Sequence, residues 1–547
     1  MEYEGSATHA VTNQPPPLAP YDASADTALL EGLRREGAGW AEEGIRRLGL
    51  RAGSAEAQEW ADLANRHEPE LRTHDRYGNR VDEIDFHPSW HHLMRAAVAE
   101  GLAGTPWAED RAGAHVARTA GGLVWGHTEA GHGCPTSMTY AAIPPLRRQP
   151  ELSKIYEPLL TSREYEPGLK VPTEKRGLLA GMGMTEKQGG SDVRTNTTTA
   201  TPTAESGVYT LRGHKWFTSA PMCDVFLVLA QAPGGLSCFL VPRVLPDGSR
   251  NTFRIQRLKD KLGNRSNASS EPEFDGTVAW LVGPEGQGIK TIIEMVNCTR
   301  LDCVMMSATL MRKTLVEAGH HVRHRSAFGA RLLDQPLMRN VLADLALESE
   351  AATTLTLRLA GAADRAVRGD TGEAAFRRIA TAVGKYWVTK RGPAFTAEAL
   401  ECLGGNGYVE ESGMPRHYRE APLLSIWEGS GNVNALDVLR ALRRESGAAQ
   451  ALFDELASAR SADARLDAAV ARLKGQLAET SEIGARRLVE LMALTLQASL
   501  LVRHAPPAVA DAFCASRLGG DWGHAFGTLP DAADLDAILA RALPDGS

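Results

Sequence analysis

Apolar residues three and four positions apart predict helices over most of residues 27–180. The pattern is clear in ADTALLEGLRREGAGWAEEGIRRLG and HLMRAAVAEGLAG, where it brings the apolar side chains to one face of a helix. Between these segments, DRYGNRVDEIDFHPSW carries Gly78 and Pro88, and we expect a loop there. Residues 1–26 include the three consecutive prolines Pro15 to Pro17, which favour an extended arm.

From residue 181 to residue 288 the pattern changes to short apolar or alternating runs separated by glycine and proline. Examples are VYTLRGHKWFTS, CDVFLVLAQ, LSCFLVPR, TFRIQRL and TVAWLVG. Their content of Val, Phe, Thr and Trp, and their spacing, favour strands. We therefore predict a middle β domain, a small barrel or sandwich, inserted between helical parts.

Long amphipathic stretches return in residues 289–444 and predict a helical bundle. Residues 445–547 are rich in alanine and predict a further helical domain, with breaks near Pro506-Pro507 and Gly519-Gly520. The predicted fold class is α+β and mainly α. Its parts are the arm, an N-terminal helical domain, the β domain, the bundle and the extra helical domain, with boundaries after residues 26, 180, 288 and 444.

Composition supports a soluble protein of several domains. Of the 547 residues, 43% are hydrophobic and 23% are charged, and the formal net charge of −7 gives no general reason to expect a nucleic acid partner. The seven cysteines are dispersed without a C-x-x-C pair, which favours reduced thiols in the cytoplasm. The sequence shows no signal peptide, no apolar run near the roughly 18 residues of a membrane span, and no zinc-site spacing. We therefore expect no membrane and no metal.

Two polar segments are ambiguous when each is taken alone. GMGMTEKQGGSDVRTNTTTA offers hydroxyl and N–H groups to a ligand, but it also suits any loop between domains. GHKWFTSA places Trp216 beside hydroxyl residues, which suits a flat polar heterocycle and equally suits a buried strand tryptophan. The chain has no G-x-G-x-x-G in a strand–turn–helix context. GPEGQGIKT does not match a P-loop, because Ile289 separates the last glycine from Lys290. A nicotinamide dinucleotide site is therefore disfavoured.

Five motifs in a fixed order are more specific than any one of them. MTEKQGGSD, GHKWFTSA, RSAFG, LGGNGY and WEGSGN follow one another along the chain. This series resembles the acyl-CoA dehydrogenase family over roughly residues 75–444. The resemblance implies that family's fold, an N-terminal helical domain, a middle β-barrel domain and a C-terminal helical bundle, here with an extra C-terminal helical domain. HAVTNQPPPL, EAGHGCPTSMTY and GYVEESGMPRHYREAPLLSIWEGSGNVNALDVLRAL are similar to the alkylation-response subgroup of the family, the AidB subgroup.

The resemblance implies FAD as the cofactor, bound in part by the chain's own residues. Trp216 would lie against the isoalloxazine ring, and the Thr218 hydroxyl would reach flavin N5. Ser430 and Asn432 would face the ribityl and phosphate side. The residues expected to line the flavin ring and its pyrophosphate are Met184, Thr185, Glu186, Gly190 and Ser191.

The resemblance also implies that other residues meet the FAD of a neighbouring subunit. An arginine matches the geometry of a pyrophosphate, and glycines let backbone N–H groups approach phosphate closely. The residues are Arg325, Phe328, Gln335, Gly404, Gly405 and Gly407. Glu401 stands where the family often has glutamine, and we expect no direct contact between its carboxylate and the pyrophosphate. A homo-oligomer follows, most simply a tetramer built as a dimer of dimers.

Glu428 is the candidate catalytic residue. The resemblance implies that it removes the α-proton of an acyl thioester, a small-molecule substrate, while the β-hydride passes to flavin N5. A carboxylate suits this role if an apolar pocket raises its pKa, and Trp427 is placed to contribute. The competing interpretation is that Glu428 only adds favourable negative charge before a helix capped by Ser430.

A DNA-associated flavoprotein with vestigial redox activity is the second hypothesis, because the AidB subgroup is associated with alkylation damage. Residues 445–547 carry nine basic and fourteen acidic residues, a net charge of −5, which is a poor footprint for DNA. A basic face could still form from Arg440, Arg443, Arg444, Arg486 and Arg487. We expect any DNA binding to be weak and largely lost near physiological ionic strength.

Overall fold

Helices form both ends of the described chain, and strands form its middle. The computed structural model describes residues 8–479 and 481–543. Residues 1–7 of the predicted arm, and residues 480 and 544–547 of the predicted C-terminal domain, lie outside the described residues. The predicted fold class, mainly helical with a barrel in the middle, is confirmed.

The N-terminal helical region begins where the arm ends. The Asp26 carboxylate accepts hydrogen bonds from the N–H groups of Ala28 and Leu29, which caps the first helix. The elements of this region are α1 Thr27–Arg35, α2 Glu42–Ala52, α3 Ala55–Arg66, β1 Glu70–His74, β2 Arg80–Asp85, α4 Pro88–Ala99, α5 Ala114–Trp125, α6 Gly133–Ala141, α7 Ile143–Leu146 and α8 Pro150–Leu160.

The prediction of a simple loop at DRYGNRVDEIDFHPSW is wrong, because β1 and β2 pair there as an antiparallel hairpin. The Asp75 carboxylate accepts from the N–H groups of Tyr77 (2.8 Å) and Asn79 (2.9 Å), and Gly78 has the positive φ that the turn needs. The residues of both strands are largely polar and mostly partly or fully exposed, so the apolar alternation typical of a strand is weak. Pro88 begins α4, as its fixed φ favours.

The middle of the chain folds into a closed ring of strands. Its elements are β3 Ala180–Gly183, β4 Thr199–Pro202, β5 Val208–His214, β6 Thr218–Ser219, β7 Val225–Ala232, β8 Gly235–Pro242, β9 Arg254–Leu258 and β10 Ser269–Val282. Pairing runs from β7 through β4, β5, β10 and β8 back to β7, which closes a barrel. The short strand β6 pairs with the start of β10 and brings Thr218 to the end of this sheet.

Three long helices form the core of the C-terminal bundle. The elements are α9 Gly288–His324, β11 Ser326–Ala327, β12 Ala330–Arg331, α10 Pro336–Val367, α11 Thr371–Glu401, α12 Met414–Leu424 and α13 Gly431–Arg444. Helices α9, α10 and α11 pack against one another through fully buried residues such as Met311, Leu355 and Val383. A buried ion pair joins Arg118 of α5 to Asp302 of α9 (Nη2 to Oδ2, 2.7 Å), so the N-terminal region is fixed to the bundle.

The C-terminal extension is helical and docks on the bundle. Its helices are α14 Ser446–Ala457, α15 Ala464–Glu479, α16 Ala485–His504, α17 Pro507–Phe513 and α18 Leu535–Ala542. Helix α16 packs against α10, α11 and α13. In the part of the chain that the structure describes, we find no helix with the length and apolar character needed to cross a membrane.

A buried charge cluster joins this extension to α10. Asp344 is fully buried and accepts hydrogen bonds from Arg517 Nη2 (2.5 Å), the Gly527 N–H (2.9 Å) and Trp522 Nε1 (3.2 Å). Arg517 also pairs with Glu348 at 3.2 Å. Arg391 of α11 pairs with Glu348 as well (3.2 Å), so Arg517 is shared between the two acids and is the cation bound to Asp344. The extension and the bundle therefore depend on each other at Asp344.

Replacing Arg517 tests this dependence. Arg517→Met should lower the free energy of unfolding by about 3–5 kcal/mol, because it leaves the fully buried Asp344 carboxylate without its cation. Urea unfolding followed by circular dichroism measures the change. Arg472→Met, at an exposed arginine of α15, is the matched control and should change stability by no more than about 0.5 kcal/mol. Equal effects of the two substitutions would contradict the assigned role of Arg517.

Candidate functional site

Glu428 lies in the turn between α12 and α13, in a backbone conformation that is unusual for a residue with a side chain. Its φ is +57°, a left-handed value that costs on the order of 1–3 kcal/mol unless its surroundings impose it. Arg300 Nε donates to the Glu428 carbonyl at 3.0 Å. Lys385 Nζ donates to the carbonyls of Trp427 (2.8 Å) and Gly429 (2.6 Å). Three consecutive carbonyls thus accept from two cations, which holds the turn in place.

The Glu428 side chain is largely withdrawn from solvent. Burial raises its pKa above the ordinary value for glutamate, and this effect exceeds the opposing ones. The opposing effects are a hydrogen bond from Thr299 Oγ1 to Oε2 (2.6 Å) and the nearby charges of Lys385 and Arg300. A carboxylate in this state is suited to accept a proton near neutral pH.

Thr218 and Trp216 lie at the edge of the barrel. Thr218 is buried, and its hydroxyl has no hydrogen-bond partner among the described residues. Trp216 is partly exposed, and its backbone N–H donates to the Thr185 carbonyl at 2.8 Å. Lys259 Nζ lies 3.2 Å from the centre of its ring. A buried hydroxyl without a partner, near a partly exposed indole, fits a flat, hydrogen-bonding ligand such as a flavin.

Cys134 connects this edge to Glu428. Burial raises the pKa of its thiol to about 12, and the nearby Glu428 carboxylate also raises it. Ser219, next to Thr218 in the chain, and Asn267, two residues before β10, lie close enough to the thiol to lower its pKa in part. The structure therefore brings Glu428 and the barrel edge together around one buried residue.

Glu186 has a different environment from the one the sequence analysis gave it. Its side chain is fully buried and accepts from Lys215 Nζ (2.7 Å) and from the N–H groups of Thr197 (2.7 Å) and Thr198 (3.2 Å). The Lys215 charge and these hydrogen bonds overcome burial and lower its pKa to about 2. The carboxylate therefore fastens the loop from inside.

The rest of this loop remains available at the surface. Gly190 and Ser191 are exposed, and Met184 and Thr185 are partly exposed. The Met184 carbonyl accepts from Asn196 Nδ2 at 2.9 Å, which adds a second tie between the loop and the barrel.

Ser430 and Asn432 lie at the N-terminal end of α13, where free backbone N–H groups favour an anion. Two cations that sequence reasoning missed approach this end. A Cβ placed on Gly431 would lie 2.8 Å from Lys390 Cε and 3.2 Å from Arg486 Nη2. Neither residue belongs to a recognisable motif, and the sequence analysis named Arg486 only as part of a possible basic face, so no sequence signal assigned either residue to this site.

The residues expected to serve a neighbouring subunit are at the surface. Phe328 is fully exposed, with φ +53° at the tip of the β11–β12 hairpin, and Arg325 and Gln335 are partly exposed on either side of it. Gly404 and Gly405 are exposed with open space around them, whereas Gly407 is buried.

The N-terminal arm joins these two motifs, which sequence reasoning did not foresee. Asn13 Nδ2 donates to the Ser326 carbonyl (2.8 Å), and its Oδ1 accepts from the Ser326 N–H (2.8 Å). Arg325 Nη1 donates to the Asn13 carbonyl. Asn406 Nδ2 donates to Gln14 Oε1 at 3.5 Å. The arm therefore lies against both the RSAFG hairpin and the LGGNGY turn.

A cavity lies beside Trp427, with about 70 Å³ open to the centre of a water-sized sphere. Helices α5, α6, α9 and α12 surround it. Its walls combine apolar residues with buried polar ones. The lining includes Trp125, Glu129, His132, Asn264, Met305, Met306, Leu310, Lys313, Arg416, His417, Glu420, Leu424 and Trp427.

Three family models match the chain one after another. The model "Adaptive response protein AidB N-terminal domain" matches residues 13–167. The model "Acyl-CoA dehydrogenase, middle domain" matches residues 181–277, and "Acyl-CoA dehydrogenase, C-terminal domain" matches residues 286–443.

Two curated relatives agree with these matches. AidB of Escherichia coli (strain K12) is 47% identical over 510 residues, which is 93% of this chain and 94% of that protein. Acyl-CoA dehydrogenase family member 11 of Caenorhabditis elegans is 30% identical over 403 residues, which is 71% of this chain and 64% of that protein.

Solved structures share the fold. The structure described as the Bd2924 apo-form has a TM-score of 0.81 at 28% identity, covering 94% of this chain and 100% of that one. Caenorhabditis elegans ACDH-11 in complex with C11-CoA has a TM-score of 0.83 at 25% identity, covering 100% and 94%. A Bacillus anthracis acyl-CoA dehydrogenase complexed with FAD has a TM-score of 0.64 at 18% identity, covering 79% and 81%.

Fold, motif order and these likenesses define one class of protein, the flavoprotein oxidoreductases that act on CH–CH groups. The chain belongs to the acyl-CoA dehydrogenase family and is AidB-like within it, as the ordered motifs predict.

Proposed function

We propose that this protein oxidises an acyl-CoA thioester between its α and β carbons, with Glu428 as the base and FAD as the cofactor. The observation that carries the proposal is the Glu428 carboxylate, whose pKa burial raises and whose neighbour Trp427 lines a deep cavity. The competing interpretation, in which Glu428 only adds negative charge before a helix capped by Ser430, does not account for the Thr299 hydrogen bond to the carboxylate, and the Ser430 side chain makes no capping hydrogen bond to α13.

Glu428 removes a proton that is only weakly acidic. A base whose pKa lies nearer to neutrality than that of ordinary glutamate accepts such a proton more readily at neutral pH. Arg300 and Lys385 hold the backbone of the turn, so the carboxylate keeps its position as its charge changes. Thr299 stabilises the ionised form that must be present before the proton is taken.

The described residues fit FAD. Bound FAD supplies the acceptor for the two electrons that leave with the β-hydrogen. Thr218 has a buried hydroxyl free to bond with it, and Trp216 offers an aromatic face. The start of α13 with Ser430 and Asn432 offers backbone N–H groups to its phosphates. Met184, Thr185, Gly190 and Ser191 would contribute through the loop that the Glu186 carboxylate fastens.

The proposal includes a homotetramer whose subunits complete each other's FAD sites. An aromatic side chain as exposed as Phe328 is costly in water and is typical of a surface that a partner covers. Arg325 and Gln335 flank it, and the open turn at Gly404 and Gly405 would accept phosphate by its backbone. The buried Gly407 would contribute by allowing the chain to turn.

We place this activity in the cytoplasm, which the free and buried state of all seven cysteines supports. The charges of residues 445–547 support the DNA-associated alternative less than the enzyme. Four of the nine basic residues of the extension are held in ion pairs with acids, namely Arg465, Arg503, Arg517 and Arg541. A role in the response to DNA alkylation would therefore rest on the remaining exposed arginines and on weak binding.

Anaerobic titration with acyl-CoA thioesters tests the function. The protein loaded with FAD should lose its flavin absorbance when the substrate is added. Glu428→Gln should retain FAD but reduce it about 10²–10⁴-fold more slowly, because the amide keeps the shape and removes the base. Glu411→Gln, at an exposed glutamate, is the control and should react like the parent. A Glu428→Gln variant as fast as the parent would show that another group is the base.

The pH dependence of the reaction tests the Thr299 contact. Glu428 acts when ionised and its pKa is raised, so flavin reduction should speed up as the pH rises through that pKa. Thr299→Val removes a hydrogen bond from the ionised form and should shift the rising limb upward by roughly one to two pH units. Thr314→Val, whose hydroxyl bonds only within α9, is the matched control. A profile that stays in place would rule out this contact as a determinant.

Arg325 tests the shared FAD site. Arg325→Ala should weaken FAD binding about tenfold or more, since a charge-assisted hydrogen bond contributes about 1.5–3 kcal/mol. It should also shift gel filtration from tetramer towards smaller species. Arg331→Ala is the matched control, because Arg331 lies on the same hairpin and pairs with Asp334 of its own chain. A stable monomer that binds FAD normally would contradict the shared site.

A further inference from the structure

The cavity behind Trp427 becomes more polar with distance from Glu428. Near Trp427 its wall is an apolar cluster of Leu310, Ala421 and Leu424 with Met306 beside them. Along α9 and α12, away from Trp427, the walls carry Lys313, Arg416, His417 and Glu420, and Lys313 and Arg416 lie near the His417 ring. Glu129 and His132 add polar groups to the wall on the side of Cys134. An acyl chain that enters past Glu428 would therefore meet apolar walls first and polar walls at its far end.

The rise of helices α9 and α12 gives the distance over which the cavity wall changes from apolar to polar. On α12, Leu424, Glu420 and His417 are one turn apart on one face, so Glu420 and His417 lie about 6 and 10 Å beyond Leu424. On α9, Lys313 is fourteen residues beyond Thr299, the partner of Glu428, or about 21 Å of helix. The polar walls therefore begin about 6 Å beyond Leu424 along α12 and continue to Lys313, so a short acyl chain would end among apolar walls and a longer one among polar walls.

The charged groups of the lining are already paired. Arg118 pairs with Asp302, Glu129 with His132, Lys313 with Glu317 and Arg416 with Asp62. These ion pairs stabilise the fold and leave Glu420 as an acid of the lining that no cation among the described residues pairs with. They do not account for every neutral polar group.

His417 and Glu420 are the lining residues that can make further hydrogen bonds. The His417 side chain is only 6% exposed, and its ring makes no hydrogen bond to any described residue. Burial holds its pKa well below the ordinary value, so the ring is neutral and has one donor and one acceptor. Glu420 accepts from the Asn264 N–H (2.6 Å) and Nδ2 (3.1 Å), and burial raises its pKa to about 7. A carboxyl group at that pKa can donate as well as accept.

A plain alkyl tail suits this end poorly. It would exclude water from His417 and Glu420 without replacing the lost hydrogen bonds, and each buried group left unsatisfied costs about 1–3 kcal/mol. The indole N–H groups of Trp125 and Trp427, which also line the cavity, have no partner among the described residues either. A tail that carries a hydroxyl group supplies both a donor and an acceptor.

We propose that the cavity selects acyl groups whose far end carries an uncharged hydrogen-bonding substituent, a hydroxyl group or a close equivalent, bound by His417 and Glu420. The inference rests on the proposed function, because it assumes that the acyl group enters this cavity from Glu428. It names a substrate class within acyl thioesters and a pair of specificity-determining residues.

Binding measurements test the selectivity separately from catalysis. The Glu428→Gln protein loaded with FAD is titrated by calorimetry with straight-chain acyl-CoA esters and with the ω-hydroxy ester of the same length. At the length that reaches the polar end, the ω-hydroxy ester should bind about tenfold more tightly, the effect of one net hydrogen bond. Equal or tighter binding of the plain ester at every length would overturn the inference.

Variants at His417 identify the group responsible. In the same background, His417→Phe keeps the ring volume and should abolish the preference, whereas His417→Gln keeps a hydrogen-bonding group and should retain part of it. Tyr418→Phe, at an exposed neighbour on α12, should leave the preference unchanged. A preference that survives in His417→Phe would overturn the assignment of His417. If His417→Phe does not bind FAD, His417→Gln and the comparison of esters in the parent decide.

Failure of the inference and failure of the proposed function give different results. If plain esters bleach the flavin of the wild-type protein anaerobically but ω-hydroxy esters bind no better, the function stands and the selectivity is wrong. If no acyl-CoA ester of either kind bleaches the flavin or binds, the proposed function is wrong and the inference falls with it.

Discussion

The site depends on holding the Glu428 carboxylate at a backbone position with a left-handed φ, which residues with a side chain rarely adopt. Glu428 keeps its left-handed conformation because the carbonyls around it accept from Arg300 and Lys385. Arg300 is in turn paired with Asp437 (2.7 Å) on α13. Helices α9, α11 and α13 thus converge on one turn, and the packing of the long helices is what fixes the base.

The placement of these cations explains why the pKa of Glu428 is raised and that of Glu186 is lowered, although both side chains are withdrawn from solvent, Glu186 fully and Glu428 in part. Lys215 donates directly to the Glu186 carboxylate, and with the surrounding N–H groups it lowers the pKa to about 2. Arg300 and Lys385 donate to backbone carbonyls beside Glu428, so their charges act on the carboxylate only from a distance and burial prevails. Glu186 is therefore a permanent anion that holds its loop in place, whereas Glu428 is a group that can exchange a proton.

The sequence predicted the fold class and the family because both rest on local patterns. Apolar periodicity marks long helices, and the five motifs are contiguous. It could not predict Thr299, Arg300 or Lys385, because these residues sit in ordinary helical stretches more than forty residues from Glu428, and only packing brings them together. The β1–β2 hairpin was missed since its residues are largely polar and mostly partly or fully exposed. The roles of the FAD-site residues stay predictions.

The N-terminal arm links parts of the molecule that look independent in the sequence. Lys313 Nζ, in the wall of the cavity, donates to the buried Tyr21 hydroxyl at 2.9 Å. Earlier in the arm, the Pro16 carbonyl lies 2.8 Å from His320 Nε2, and Asn13 binds the hairpin at Ser326. The arm therefore runs along the end of α9 from the polar end of the cavity to the surface that a neighbouring subunit is proposed to cover. Helix α9 also carries Thr299, so it contacts the base, the cavity and the proposed subunit surface. A shift of α9 would therefore move residues at all three places.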